Sequence, residues 1–383
     1  MTKTTKSVVV SLFILVNFLA LSPATVAAQK TVIGKIIQPL SAINSSEYTL
    51  KLDINGQVLR LNLHPGSVIG SYTKVANLAG HSLNSLNNRF RSFRGSIHGE
   101  SDSWVRLAIH GGTLSGVISR QGNRYQLGGT STSLITLKPL SEAKRFAANS
   151  HSLKSHADQL RQQQSTKNAS ASMQVSHVVD MAIIVDSQYN ELHNGNGLQK
   201  ALSIINSVDG IYREEFGIAL RVVSALNVSD LRNDPFDFGN VTIEKMLRGL
   251  RDYRMRSKQF DDASLVHLFT GNRNSDAPVG LAWIDTACRS DGYDVGLSTP
   301  YRHEILLAAH EIAHNLGAQH DTDTACRVDN DKVMWPFISS HTSQNFSSCT
   351  RSSVRQSLQN SCHVKTRDVQ VSLLATQPAQ PNR

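Results

Sequence analysis

Cysteine is scarce in this chain: of 383 residues only Cys288, Cys326, Cys349 and Cys362 are cysteine, all in the last hundred. None is spaced as CxxC, so a cysteine-ligated zinc site finds no support. An even count in an exported chain points instead to two disulfides, with three possible pairings. Long apolar runs are almost absent as well. Residues 8–21 form one, preceded by Lys3 and Lys6, interrupted by Ser11 and Asn17, and followed by the small-residue stretch PATVAAQ. That is the pattern of a secretory signal peptide over residues 1–28, cut between Ala28 and Gln29. No later stretch holds the eighteen or so uninterrupted apolar residues that a membrane span needs, so no stable membrane anchor is expected and the mature protein is read as secreted. It would be extracellular, with the periplasm as a transit point if the source is bacterial. Basic runs interleaved with aromatics are also missing. The net charge of +9 is scattered, which argues against a nucleic-acid partner. The densest cluster, Arg248, Arg251, Arg254, Arg256 and Lys258, fans around a helix and is read as a solvated face. Residues 146–173 have no aromatic after Phe146 and are rich in Ser and Gln. Such a stretch cannot bury a core and reads as a linker open to proteolytic maturation.

The periodicity of what remains divides the chain. Residues 29–145 are β-rich: YTLKLDINGQVLRLNL alternates apolar and polar residues around Asn55-Gly56, a strong hairpin signal. From about residue 174 the pattern alternates between strand and helix. VVDMAIIV is a near-continuous apolar strand, and Leu198, Ala201, Leu202, Ile205, Val208, Ile211 and Tyr212 then recur at helical spacing. Ile243, Met246, Leu247, Leu250 and Tyr253 mark a second helix. Ile305, Leu306, Ala309, Ile312, Ala313 and Leu316 mark a third, expected to start at Thr299-Pro300 as N-cap and first residue. This order predicts an α/β (α+β) fold with helices packed on a mixed sheet.

The third helix carries the chemistry in HEIAHNLGAQHD. His310 and His314 are four apart, so one helical face aims both imidazoles at one point. Gly317 can take the positive φ that ends a helix and turns the chain back, which brings in His320 as a third nitrogen ligand. Three protein ligands leave open the fourth position of a catalytic zinc, whereas structural zinc is closed by four. Glu311 adjoins the first ligand and suits the general base that takes a proton from the attacking water. Met334 follows in VMWPF. His303 lies about two turns, roughly 10 Å, before His310 and is too far to share the metal; a solvated or capping role is expected for it. His64, His98 and His110 are read as ordinary side chains.

The long histidine motif with Met334 as a downstream Met-turn resembles the metzincins, and Asp321 after the third His resembles their reprolysin (adamalysin, M12B-like) branch. VVDMAIIVD, SVDGIYREEFGIALRV, FDDASLVHLFT, VGLAWIDTAC and FSSCTRSSVRQSLQNSC are similar to successive segments of that family's catalytic domain, here residues 174–365. The stretch from Gly95 to Leu127 more loosely resembles its propeptide. The resemblance implies a zinc metalloendopeptidase on a mixed, mostly parallel sheet with an antiparallel edge strand, preceded by a β-rich prodomain over residues 29–145 and followed by a polar tail over 366–383. It implies Cys288–Cys362 and Cys326–Cys349 as the disulfides. It assigns Val279, Gly280, Leu281 and Ala282 to an edge strand that pairs with extended protein or peptide substrates, and Trp335 and Pro336 to the pocket wall. The protein is expected to be a monomer, with its own prodomain as inhibitor and chaperone. Two departures stand out. With no cysteine in the prodomain, a cysteine switch cannot hold the enzyme latent. Many relatives bind a structural calcium through an acidic residue of the first strand, an Asp and a late Asn; Asp180 and Asp261 match, but Lys365 replaces the Asn. Calcium is therefore doubtful, and Lys365 is expected to bridge the two carboxylates. Two alternatives stand beside the main reading: peptidyl-Asp-type bacterial specificity, and a catalytically silent binding or adhesion protein on a metzincin scaffold.

Overall fold

A computed structural model of the chain describes residues 31–37, 48–66, 68–77, 90–130, 134–140, 146–147, 175–272, 279–327, 331–338, 342–359, 362 and 364–365. The proposed signal peptide, the polar tail and all of the proposed linker except Phe146 and Ala147 lie outside the described residues. No described helix is long and apolar enough to cross a membrane.

The alternating N-terminal sequence closes into a barrel of eight antiparallel strands, Val32–Ile36, Tyr48–Ile54, Gln57–Pro65, Phe90–Ile97, Trp104–His110, Thr113–Arg120, Asn123–Thr130 and Leu134–Pro139, the first pairing with the last. Period-2 alternation puts Leu50, Leu52, Leu61, Leu63, Leu107 and Leu127 inside. At the first hairpin Asn55 (φ 54°) and Gly56 (φ 80°) both take positive φ, as a two-residue type I′ turn requires. The strand Trp104–His110 is buried along its whole length. Its Val105, Leu107 and Ile109 face the barrel interior, while Trp104 and Ala108 join a second core outside.

That second core belongs to a mixed sheet. Its order runs Gly280–Ala282, Val295–Ser298, Leu265–Phe269, His177–Val185, Ile218–Asn227, Ile69–Asn77, with Val364–Lys365 pairing beside the start of His177–Val185. The edge pair Gly280–Ala282 with Val295–Ser298 is antiparallel, and the other neighbours along the path are parallel. The apolar run of His177–Val185 is explained by burial on both faces. Val179, Met181, Ile183 and Val185 face the helices Gly197–Phe216 and Glu304–Asn315, while Ala182 and Ile184 face the helix Ile243–Arg256. The seven apolar positions expected on Gly197–Phe216 are buried, and Gly217 ends that helix in the left-handed conformation at φ 70°.

Strand Ile69–Asn77 was not foreseen. It leaves the barrel between two of its strands and forms the far edge of the mixed sheet, so the β-rich stretch contributes to both layers.

Three sequence-based expectations are corrected. The third helix starts at Glu304, not at Thr299-Pro300, because the Thr299 N–H and hydroxyl both donate to the Val279 carbonyl and prolong the edge pairing. Of the two roles expected for His303, the solvated one is excluded: it stands at the N-cap position of that helix without a side-chain cap bond, buried at 4% exposure, with Nδ1 3.0 Å from the Leu140 carbonyl. The arginines of Ile243–Arg256 are not merely a solvated face. Arg254 bonds the buried Asp294, while Arg248 and Arg251 stack over Trp283 and Tyr293.

Candidate metal centre

The helix Glu304–Asn315 carries His310, Glu311 and His314 into the core, where all are essentially fully buried. Gly317, at φ 91°, turns the chain; the Ala318 N–H donates to the Ala313 carbonyl, and His320 folds back. Nε2 of His310 then lies 3.1 Å from Nε2 of His314 and 3.3 Å from Nε2 of His320. The ligand atoms all fall within 4.8 Å of one another, and no other such group occurs among the described residues.

Backbone carbonyls set the tautomers. His310 Nδ1 donates to Val333 O at 2.8 Å and His314 Nδ1 to Ala318 O at 2.7 Å. With the proton held on Nδ1, the Nε2 lone pair is free for a metal. Burial lowers the pKa of His310 to about 4 and of His320 to about 3, and pushes His314 well below its ordinary value, with His310 and His320 adding to the effect. The imidazoles are therefore neutral at pH 7, the form that ligates.

Val333 and Met334 act here through the backbone. Val333 O orients His310, and Met334 O accepts the N–H of Asp321, the residue after His320. The Met334 side chain is fully buried in the core. The Asp321 carboxylate is also fully buried and accepts from Ser347 Oγ at 2.5 Å and, more loosely, from Thr350 Oγ1 at 3.4 Å. It thus ties the third-ligand turn to the N-terminus of the helix Ser348–Ser357. Sequence reading noted Asp321 only as a mark of resemblance. Its neighbours Thr322, Asp323 and Thr324 give no local sign of the anchoring role, because the partners Ser347 and Thr350 lie 26 and 29 residues further on.

Both carboxylate oxygens of the buried Glu311 lack a hydrogen-bond partner, and desolvation raises its pKa well above the ordinary carboxyl value. A buried acid without partners is costly unless a ligand faces it. Three neutral imidazole nitrogens beside an orphaned carboxyl suit a divalent metal with an open position and a water. Glu311 lies against the edge strand Gly280–Ala282, where a Cβ on Gly280 would meet Glu311 Oε1 at 2.5 Å. Tyr212, on the helix Gly197–Phe216, braces the metal helix by donating its hydroxyl to Ala309 O at 2.7 Å.

Leu281 and Ala282 are buried, Val279 is half-buried, and Trp335 and Pro336, just past Met334, are half-buried. The short strand Phe146–Ala147 pairs antiparallel with Phe337–Ile338. The first residues of the expected open linker thus lie along the segment that follows Pro336. Cys288 is joined to Cys362 and Cys326 to Cys349, with Cα separations of 5.9 and 6.0 Å. The Asp180 carboxylate is engaged at both oxygens by Arg221, at 2.5 and 2.7 Å, a partner that sequence reading did not assign. Lys365 pairs through its backbone with His177, and its side chain lies outside the described residues.

The model of Reprolysin_5, metallo-peptidase family M12, matches residues 175–366. The snake venom metalloproteinase trimerelysin-2 of Protobothrops flavoviridis is 27% identical over 181 residues, covering 45% of this chain and 87% of that protein. Brevilysin H2a of Gloydius brevicauda, a zinc metalloproteinase-disintegrin-like protein, is 29% identical over 192 residues, and the match spans 42% of its length. Mouse disintegrin and metalloproteinase domain-containing protein 12 is 23% identical over 340 residues. That match takes in 81% of this chain, reaching well upstream of residue 175, but only 37% of the mouse protein. The crystal structure of metalloproteinase-II from Bacteroides fragilis superposes with a TM-score of 0.52 at 11% identity, over 83% of this chain and 93% of that one, a likeness of fold alone.

Proposed function

Because the chain belongs to metallo-peptidase family M12, whose metalloproteases use zinc, we propose that it is a secreted zinc metalloendopeptidase. The observation that carries this reading is the convergence of the three histidine Nε2 atoms beside the unpartnered Glu311 carboxyl, which abuts the edge strand. His310, His314 and His320 hold the zinc. Bound there, zinc supplies a Lewis acid that polarises a peptide carbonyl and acidifies water. Glu311 takes the proton from the attacking water and passes it to the leaving amine. An extended substrate pairs with Val279, Gly280, Leu281 and Ala282 by strand addition, and Trp335 and Pro336 wall the pocket beyond the scissile bond. No covalent nucleophile is needed.

Residues 1–28 act as a signal peptide, and the barrel acts as a prodomain that assists folding and restrains activity. The match to the mouse relative upstream of residue 175 supports this assignment. Without a prodomain cysteine, latency rests on occupation of the cleft rim. The pairing of Phe146–Ala147 along Phe337–Ile338 supports that route.

The test is hydrolysis of unfolded protein by the purified segment from about residue 174. Activity lost to a chelator and restored by zinc is expected. Glu311→Ala should keep its zinc and lose several orders of magnitude in rate. A zinc-loaded wild type with no activity would favour the silent binding scaffold instead.

A further inference from the structure

The barrel is held to the metallopeptidase body by more than the connecting chain. Strand Ile69–Asn77 runs parallel to Ile218–Asn227, with Ile69 opposite Val222 and residues 74–77 opposite Ser224 to Asn227. Thr73 Oγ1 donates to Val222 O at 2.5 Å, and Val222 N donates to Val68 O at 2.6 Å. Without this strand the mixed sheet would present an unpaired row of backbone donors and acceptors.

The helix preceding that sheet strand, Gly197–Phe216, forms the rest of the seat. The Trp104 ring packs so closely on Gly210 that a Cβ there would meet it at 2.5 Å, and Trp104 Nε1 donates to Glu214 at 2.9 Å. Arg106, buried, reaches Asp209 at 3.1 Å. Arg124 is 1% exposed and crosses entirely into the other body. Its guanidinium donates to Glu214 and Glu215 at 2.6 Å each and to the Gln344 carbonyl, while its backbone N–H donates to the Gln344 side chain. Asn206 Nδ2 caps the Leu107 carbonyl at 3.0 Å. Withdrawing the barrel exposes a sheet edge and strips Asp209, Glu214 and Glu215 of these cations together.

We propose that residues 31–140 remain seated as a separate polypeptide once the connection after Ala147 is cut. The outer edge of Ile218–Asn227 and the carboxylates of Asp209, Glu214 and Glu215 then form a binding surface for that polypeptide in trans. Scission alone does not release the barrel; release requires withdrawal of strand Ile69–Asn77. The inference rests on reading the barrel as a removable prodomain, but its test does not depend on proteolysis by the protein itself.

The test uses the full chain carrying Glu311→Ala, with a cleavage sequence for an unrelated protease inserted between residues 155 and 165. After cutting, both fragments are expected to co-elute in gel filtration at about 1 μM and to part only in denaturant. Arg124→Ala removes the fork shared by the exposed Glu214 and the buried Glu215, leaving Glu215 with Arg351 alone, and should weaken retention about a hundredfold, with Arg124→Lys intermediate because it keeps the charge but loses the fork. Val75→Asp places a carboxylate where the inserted strand packs on the core and should also release the barrel. Each variant is first checked uncut by its melting transition. Two separate peaks from the cut protein with Arg124 and Val75 intact would overturn the proposal. So would undiminished retention in both Arg124→Ala and Val75→Asp.

Discussion

Gly280 and Glu311 share a space that only a hydrogen leaves open: a methyl group at 280 would lie 2.5 Å from Oε1 of Glu311 and 2.8 Å from its Cδ. The edge strand and the metal helix therefore approach as closely as they do because residue 280 has no side chain. In the proposed reaction Gly280→Ala displaces the base without touching a metal ligand. A displacement of about 1 Å at a reacting group costs roughly a hundredfold. We expect kcat to fall by about that factor, with zinc content and melting temperature close to wild type and KM little changed. Zinc-loaded Gly280→Ala with near-normal kcat would show that Glu311 has slack.

Calcium should not stabilise this protein. Arg221 occupies both oxygens of Asp180, which leaves no free carboxylate there for a hard cation. The melting temperature is expected to be the same with and without millimolar calcium. Arg221→Leu should cost ~1–2 kcal/mol, as a half-exposed guanidinium leaves a largely buried acid unpaired. A wild-type transition that rises by many degrees on adding calcium would contradict this.

Asp186 gives a pH dependence of unusual sign. It caps the helix Ser187–Leu192, accepting the N–H groups of Tyr189 and Gly271 through Oδ1, yet burial raises its pKa from 3.8 to about 6 against the opposing effect of those bonds. A carboxyl whose folded pKa is raised binds its proton more tightly folded than unfolded, so stability falls as pH rises from about 4 to about 6. The full penalty, reached above that window, is at most about 3 kcal/mol at 1.36 kcal/mol per pKa unit. Asp186→Asn keeps the cap oxygen and removes the charge. In urea titrations it should be more stable than wild type at pH 8, with the advantage shrinking by pH 4. An advantage that grew on acidification would refute the assignment.

The two disulfides close loops of 74 and 23 residues. In the chain-entropy view each stabilises by about 3–4.5 kcal/mol, the longer loop more. Replacing Cys288 and Cys362 by Ser should cost at least as much as replacing Cys326 and Cys349. Peptide mapping without reductant tests the pairing directly, and a peptide joining Cys326 to Cys288 would reject it.

The candidate metal ligands were legible because they lie close together on one helix and one turn. A four-residue spacing, one glycine and a third histidine fix their direction without knowledge of distant chain. The hairpin at Asn55-Gly56 and the apolar faces of the helices were readable for the same local reason. The barrel's closure was not, since alternation reveals strands but not which strand meets Val32–Ile36. Trp104–His110 carried an unread sign: a strand in a polar-alternating region with no exposed face needs two partners. The arginines of Ile243–Arg256 were misjudged because Trp283, Tyr293 and Asp294 reach them only through the fold. The helix start was misplaced because the hydrogen bonds of Thr299 go to Val279 in the edge strand, a claim no cap rule can see.

Thr73 and Val222 are 149 residues apart in the chain, and that interval imposes an order on biosynthesis. At roughly 5–20 residues per second, the strand Ile69–Asn77 leaves the ribosome about seven to thirty seconds before its sheet partner. A pairing of such long range closes late and slowly. The barrel strands around it can pair among themselves at once, since each neighbours the next. The early-made part of the molecule thus waits with one strand unspent, ready to receive the far side of Ile218–Asn227 once that strand has paired with His177–Val185.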